Sequence, residues 1–96
     1  MTLDEFKASL SNDTPPDTLS PALSALWLEA KGEWEASHKQ VQDADTQDAA
    51  WVHAYLHRKE GDDSNARYWY NRAGQDFPEQ SLDEEWETLA ASLLKS

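Results

Sequence analysis

Residues that begin and end helices recur along the whole chain, and they constrain its fold more than any other feature. Thr2 and Glu5, and again Ser81 and Glu84, have the spacing of a capping box. The apolar residues between such signals fall at helical intervals, and no run alternates convincingly with a period of two residues. We therefore predict an all-α fold with about six helices and no strands.

Further signals place these helices along the chain. A break rich in proline and polar residues, 11–20, separates the first helix from the second. Ser20 followed by Pro21 is typical of a helix start, and a glycine follows each of the second, fourth and fifth helices. Thr46 is the predicted N-cap of the fourth helix, and Asp63 or Ser64 that of the fifth. The third, fourth and fifth helices are expected at about 33–45, 47–60 and 64–73.

The length and the apolar residues of the chain indicate one compact domain. Ninety-six residues cannot bury enough surface for two independent cores. We divide this single domain, 1–96, into an N-terminal helix with its linker (1–19), two helical hairpins (20–78) and a C-terminal capping helix (79–96). Trp27, Trp34 and Trp86 lie at helical spacing with leucines, so they are predicted core residues.

The charge and composition exclude several classes of partner. Nineteen acidic residues against eight basic ones give a net charge of −11, which argues against nucleic-acid binding and against anionic membrane surfaces. No apolar stretch is long enough for a bilayer, and the first residues lack the basic start of a secretory signal. The absence of cysteine excludes disulfides and thiolate metal sites. We expect an acidic cytoplasmic protein that binds neither nucleic acid nor membrane.

Two segments of the chain echo one another. "LWLEAKGEWEASHKQV" (26–41) and "AYLHRKEGDDSNARYWY" (54–70) each predict a helix, a glycine turn and a second helix. The second segment continues with an alanine and a proline at the spacing of a tetratricopeptide or Sel1-like repeat. The residues at the matching positions are Gly61, Ala66, Tyr70, Ala73 and Pro78. This hairpin therefore resembles such a repeat.

The first hairpin resembles the repeat less closely. Gly32 and Trp34 suit its turn and the start of its second helix, but Ser37 takes the place of the small alanine and no proline closes the unit. The stretch "WVHAYLHRKEGDDSNARYWYNRAG" (51–74) is also similar to a signature of a small family of bacterial proteins, and this second resemblance implies no activity. Together the resemblances imply stacked antiparallel hairpins with flanking terminal helices.

The repeat register assigns different roles to the two sides of the fourth helix. The resemblance implies that His53 and His57 occupy the positions that pack against the partner helix. The positions that would line a concave groove are Trp51, Tyr55, Arg58 and Lys59.

The three histidines of the chain form a candidate metal site. His53 and His57 are four residues apart and share one side of a helix, and His38 lies on the preceding helix, which packs beside it in a hairpin array. Imidazole is the commonest ligand for zinc, nickel and similar ions. Three carboxylates are near enough in sequence to complete or orient such a site: Glu60, Glu35 and Asp43. A divalent transition metal is therefore the one cofactor that the sequence indicates.

Two other interpretations of the histidines remain open. Each imidazole can instead donate to a carboxylate or carbonyl in a half-buried polar network, or the cluster can act in acid–base catalysis. No metalloprotease signature is present, because Ala54 and Tyr55 follow His53. Because an imidazole buried without partners costs about 1–3 kcal/mol, we expect partners of some kind.

A surface of aromatic and arginine residues is the leading candidate for function. Its predicted members are Trp51, Tyr55, Arg58, Arg67, Tyr68 and Arg72. Such residues are favoured at protein interaction hot spots, so the leading hypothesis is a module that binds a protein or peptide, and a homodimer is an alternative. Internal packing and salt bridges to nearby acids are the competing explanation. The second hypothesis is a metal-binding protein or a metal-dependent enzyme. We favour a binding protein over an enzyme.

Overall fold

The computed structural model describes residues 1–95 and contains six α-helices in that range. They are α1 (Leu3–Ser9), α2 (Pro21–Ala30), α3 (Trp34–Val41), α4 (Gln47–Lys59), α5 (Asp63–Ala73) and α6 (Leu82–Leu94). Residues 1–95 contain no strand, which confirms the all-α prediction. Ser96, the last residue of the predicted segment 79–96, lies outside the described residues. No helix between residues 1 and 95 combines the length and apolarity needed to cross a membrane.

The predicted capping residues hold the helix starts. Both capping boxes are formed, with the Glu5 backbone N–H donating to the Thr2 hydroxyl and the Glu84 N–H donating to the Ser81 hydroxyl. The Thr46 hydroxyl accepts from the Ala49 N–H in the same way at the start of α4. These short-range bonds satisfy N–H groups that have no partner inside their own helix.

Two predicted boundaries are wrong. The helix α3 ends at Val41 instead of near residue 45, because the chain must turn before Thr46 adopts the extended conformation of an N-cap. The N-cap of α5 is Asp62, not Asp63 or Ser64. The Asp62 carboxylate accepts a hydrogen bond from the Asn65 backbone N–H, three residues further on.

The helices α2 and α3, and likewise α4 and α5, form two hairpins with turns of the same construction. Gly32 and Gly61 have φ angles of 83° and 85°, a left-handed conformation that side chains disfavour. The next backbone N–H in each turn donates to a carbonyl five residues earlier, over 3.0 Å in the first hairpin and 2.9 Å in the second. Five residues after each glycine, Ser37 and Ala66 are fully buried. Small side chains at these equivalent places let the paired helices approach closely.

The helix α6 lies across α2 and α4 and closes the main core. Trp86 is buried, and its indole N–H donates to the Leu26 carbonyl over 3.2 Å. Phe6 of α1 stacks on the Trp86 ring with centroids 5.6 Å apart. Trp27 is fully buried, as predicted, whereas Trp34 is half-buried at the edge of the core. The terminal helices therefore close the main core with α2, α3 and α4, while α5 packs on α4 in a second, smaller cluster.

Candidate metal centre

The side chains of His38, His53 and His57 meet at the interface between α3 and α4. The Nε2 atoms of His38 and His53 are 3.0 Å apart. One ring nitrogen from each of the three histidines lies within 4.8 Å of the others. His38 lies in the last turn of α3, and the two α4 histidines, four residues apart, share the side of α4 that faces it. The structure thus brings together three of the four residues predicted as metal ligands.

Two of the three imidazoles are neutral at pH 7. Burial, and then the neighbouring imidazoles of His38 and His57, lower the pKa of His53 to about 4. Burial, and then His57, also lower the pKa of His38 below its ordinary value of 6.5, against the opposing influence of Glu60. A neutral imidazole keeps the lone pair that a metal ion requires. No proton therefore has to be removed from His38 or His53 at neutral pH before they bind an ion.

The contact between His38 and His53 leaves one buried ring nitrogen without a partner. Within residues 1–95, the Nδ1 atom of His53 is buried and makes no hydrogen bond. One Nε2 atom must carry the hydrogen shared by the two neutral rings. If His53 is the donor, its Nδ1 lone pair is unpaired, and if His38 is the donor, the His53 Nδ1–H is unpaired. A polar network made of these residues alone is therefore incomplete.

Glu60 orients His57 in a way that suits a ligand. The Glu60 carboxylate lies 2.7 Å from the Nδ1 atom of His57. A carboxylate at Nδ1 favours the tautomer with its hydrogen there, which leaves the Nε2 lone pair free. Glu60 was predicted among the metal ligands, and the structure places it behind a ligand instead. Glu60 also belongs to a second group of possible metal ligands, with His57 and Asp62. The ligand atoms of these three residues lie within 4.8 Å of one another.

Two tryptophan rings cover the histidine cluster. Trp34 stacks on His38 with ring centroids 4.9 Å apart and planes 8° apart. Trp69 of α5 stacks on His53 at 3.9 Å and 17°. The indole N–H of Trp34 donates to the Leu56 carbonyl, which fixes the ring in place. These apolar walls lower the local polarity, a setting that strengthens charge interactions at a bound ion.

Trp69 is a member of this site that the sequence pattern did not identify. The run Tyr68, Trp69 and Tyr70 points in three directions around α5, and spacing alone does not say which ring meets α4. The packing of α5 on α4 selects Trp69 for His53 and buries Tyr70 elsewhere. The one sequence signal for this contact was the predicted second hairpin, because it places α5 beside α4, the helix that carries His53.

The other two carboxylates considered for the site do not belong to it. Glu35 and Asp43 are exposed, and neither is part of a group of converging ligand atoms in the described part of the chain. Glu35 falls in the first turn of α3, and Asp43 lies beyond its early end at Val41. The short α3 thus removes Asp43 from the helix that carries His38.

The predicted partner surface on α4 is covered by the chain itself. Tyr55 is only 2% exposed and belongs to the main core, and Trp51 is half-buried between two apolar clusters. The guanidinium of Arg58 donates to the buried carboxylate of Glu85 and to the Gln80 carbonyl. Tyr55 and Arg58 are thus held within the chain, because α6 packs on that side of α4, while Trp51 keeps part of its surface exposed. A role for these three residues in partner binding stays a prediction.

The three predicted surface residues on α5 do face solvent. Arg67, Tyr68 and Arg72 are exposed. Tyr68 and Met1 are the exposed large hydrophobic residues within 1–95, and Tyr68 is 52% exposed. The Arg72 guanidinium donates to the Tyr68 hydroxyl over 3.2 Å and lies 5.4 Å from the centre of the Trp69 ring. Aromatic and arginine side chains thus form one unit on the outer side of α5.

No protein-family model, no curated protein and no solved structure matches this chain.

Proposed function

We propose that this protein binds a divalent transition metal ion through His38, His53 and His57. The observation that carries the proposal is the convergence of three ring nitrogens from α3 and α4 within 4.8 Å of one another. In a tetrahedral zinc site with Zn–N distances of about 2.0–2.1 Å, ligand nitrogens are about 3.3 Å apart. The 3.0 Å separation of the His38 and His53 Nε2 atoms is close to that value.

The electrostatic setting supports an ion rather than a shared proton. Two of the rings are neutral at pH 7, and Glu60 holds the third in an orientation that leaves Nε2 free. A metal ion would bind the Nε2 lone pairs of both His38 and His53, whereas without the ion one of these nitrogens donates a hydrogen bond to the other. A carboxylate–histidine pair behind a ligand is a recurring feature of metal sites.

The ligand set leaves a coordination position for solvent. Three histidines with a fourth, open position are typical of sites where the ion acts as a Lewis acid, while closed sites have four protein ligands. His38 and His57 are half-buried, so solvent can reach this side of the cluster. The chemistry that the bound ion would supply is polarisation of a water or carbonyl group in that position.

Metal titration of protein without a histidine tag tests the proposal. Isothermal titration calorimetry with Zn²⁺ and Ni²⁺ is expected to give one ion per chain, and saturation is expected to raise Tm. His53→Gln should abolish uptake, whereas Glu35→Gln, which removes an exposed carboxylate of α3, should leave it unchanged. Circular dichroism of both variants checks that they remain folded. Folded wild-type protein that takes up neither ion would overturn the proposal.

The exposed side of α5 supports a second candidate function, the binding of a protein segment rich in carboxylates. Arg67 and Arg72 provide charge complementarity, and Tyr68 provides an exposed aromatic anchor. A fluorescent peptide of alternating glutamate and leucine is a direct probe by anisotropy. Tyr68→Ser with Arg72→Gln should remove its binding, with Lys39→Gln on α3 as control. Self-association in light scattering, lost in the same double variant, would identify a second copy as the partner instead.

Two broader proposals accompany the functional ones. We place the two hairpins in the tetratricopeptide class. This placement is supported by the similar turns at Gly32 and Gly61 and by the small buried residues Ser37 and Ala66. A cytoplasmic location stays a prediction from the cysteine-free composition.

A further inference from the structure

A cavity whose lining includes none of the histidines opens between α1, α2, α4 and α6. Its volume is about 440 Å³, within the range of small-molecule sites. The rings of Tyr55 and Trp86 are buried and, with Leu10, give it an apolar lining. Lys7 and Glu87, which form an exposed ion pair between α1 and α6, stand at its edge. The cavity therefore combines apolar surface with charged groups, as ligand pockets do.

Glu29 is the unusual group in this cavity. Its side chain is only 3% exposed, and its ionic partner within residues 1–95 is the ammonium group of Lys59. A buried carboxylate requires a cation or several hydrogen bonds to offset the loss of water. The Lys59 side chain is 45% exposed, and its flexible four-carbon stem can swing outward. The buried partner is thus fixed by the fold while the cation beside it is replaceable.

The other polar groups of the cavity favour a cationic ligand. Three carboxylates, of Glu29, Asp83 and Glu87, line it against two ammonium groups, of Lys7 and Lys59. Burial, and then the carboxylates of Glu29, Glu85 and Asp83, raise the pKa of the Tyr55 hydroxyl, which stays protonated. The Tyr55 side chain lines the cavity, so a ligand there can hydrogen-bond to its hydroxyl.

We propose that this cavity binds a small organic amine, whose ammonium group replaces that of Lys59 on Glu29. The apolar body of the amine packs against Trp86 and Leu10, and the Tyr55 hydroxyl accepts a further hydrogen bond. Lys59 itself demonstrates that the buried carboxylate accepts an alkylammonium group. A carboxylate ligand is disfavoured by the surplus of acidic groups in the lining, because like charges repel at close range.

Titration with 2-phenylethylamine, followed by NMR of the tryptophan indole N–H signals, tests this inference. The matched anion 3-phenylpropanoate should not bind. Glu29→Gln should weaken amine binding about tenfold or more, because it removes the buried charge. Lys59→Met should strengthen it about fivefold or more, because it removes the internal competitor and leaves Glu29 unpaired. Tyr55→Phe should weaken binding about fivefold.

Glu29→Gln should weaken amine binding and Lys59→Met should strengthen it. A general loss of stability would not produce these two opposite changes in affinity. If Glu29→Gln fails to fold, Lys59→Met and Tyr55→Phe still decide the matter. Glu35→Gln, which removes an exposed carboxylate of α3 outside the cavity lining, serves as the control and should leave amine binding unchanged. Absence of amine binding in both wild type and Lys59→Met would overturn the inference. Equal binding of the amine and of 3-phenylpropanoate would overturn it as well.

Discussion

The Nε2 atoms of His38 on α3 and His53 on α4 lie 3.0 Å apart across the interface between two helical hairpins. Trp34 covers one of these rings and Trp69 the other, so the pair is shielded on both sides. His57 adds a third imidazole, and Glu60 orients it. The two hairpins are thereby linked through a cluster of three imidazoles.

Replacing Glu60 by glutamine is expected to weaken metal binding without abolishing it. The Glu60 carboxylate lies behind His57, and loss of such a partner reduces metal affinity by about 10- to 100-fold. Competition with a chromogenic zinc chelator measures the change, and Glu35→Gln is the matched control on α3. An unchanged affinity for Glu60→Gln would show that His57 needs no orienting carboxylate, and complete loss would make Glu60 a direct ligand.

The metal-free protein is expected to lose stability on acidification from pH 6.5 towards pH 4. The pKa of His53 is about 4 in the folded protein, compared with its ordinary value of 6.5. Between these two pH values the unfolded chain therefore binds more protons than the folded one. Stability therefore rises with pH there, and the contribution is at most about 3 kcal/mol. The lowered pKa of His38 acts in the same direction.

Urea unfolding of wild type and His53→Gln between pH 5 and 7 measures this contribution. Most carboxylates are already ionised across that range, so the histidines dominate the slope. The slope of the unfolding free energy against pH should be smaller in the variant. Equal slopes in the two proteins would mean that His53 titrates alike in the folded and unfolded chain.

Glu85→Ala is expected to destabilise the protein by about 3–5 kcal/mol, because it leaves Arg58 without its partner in a largely buried place. The Glu85 carboxylate accepts from the Arg58 guanidinium over 2.8 Å and from the Tyr70 hydroxyl over 2.6 Å. It thus ties α6 to both α4 and α5. Tyr70→Phe, which removes one of the two bonds, should cost about 1–2 kcal/mol.

Chemical denaturation with matched variants checks the importance of Glu85. Glu79→Ala removes an exposed carboxylate from the loop before α6, and its effect should stay within about 0.5 kcal/mol. A similar small loss for Glu85→Ala would show that water takes the place of the carboxylate.

Gly61→Ala is expected to cost about 1–2 kcal/mol through backbone strain. Gly61 has a φ of 85°, and an added Cβ would have no heavy atom within 4 Å, so crowding plays no part. Asn tolerates this conformation better than alanine, and Gly61→Asn should therefore lose less. Thermal melts of the two variants compare them. Equal melting temperatures for wild type and Gly61→Ala would mean that the turn relaxes to a right-handed conformation.

The helices could be predicted from the sequence because their ends depend on short-range interactions. Thr2, Thr46 and Ser81 accept hydrogen bonds from N–H groups three residues away, so a local pattern is sufficient to identify them. The N-cap of α5 was predicted wrongly because the local pattern offers three candidates. Asp62, Asp63 and Ser64 are all capable N-caps, and only the path of the preceding turn selects among them.

The convergence of the histidines was predictable in outline because a hairpin array places neighbouring helices side by side. Spacing of four residues puts His53 and His57 on one side of α4, and His38 lies on the helix before it. The stacking of Trp69 on His53 and the selection of Glu60 over Glu35 and Asp43 were not predictable. Each depends on rotamers and on the packing of another element, which a one-dimensional pattern does not contain.

The sequence did not determine whether the predicted surface on α4 is exposed or covered. Helical spacing placed Trp51, Tyr55 and Arg58 on a side of α4 different from that of the histidines. Whether that side meets solvent, a partner or the chain itself depends on where α6 docks, and the periodicity of α4 is compatible with all three.

The sequence by itself determined the helical class, the capped helix starts and the side of each helix that carries the histidines, because these follow from local hydrogen bonding and helical periodicity. Only the tertiary structure decided that α6 covers Tyr55, that Glu85 receives Arg58 and that Trp69 stacks on His53. Those contacts join residues far apart in the chain. Their geometry is set by the packing of apolar surfaces from several helices at once.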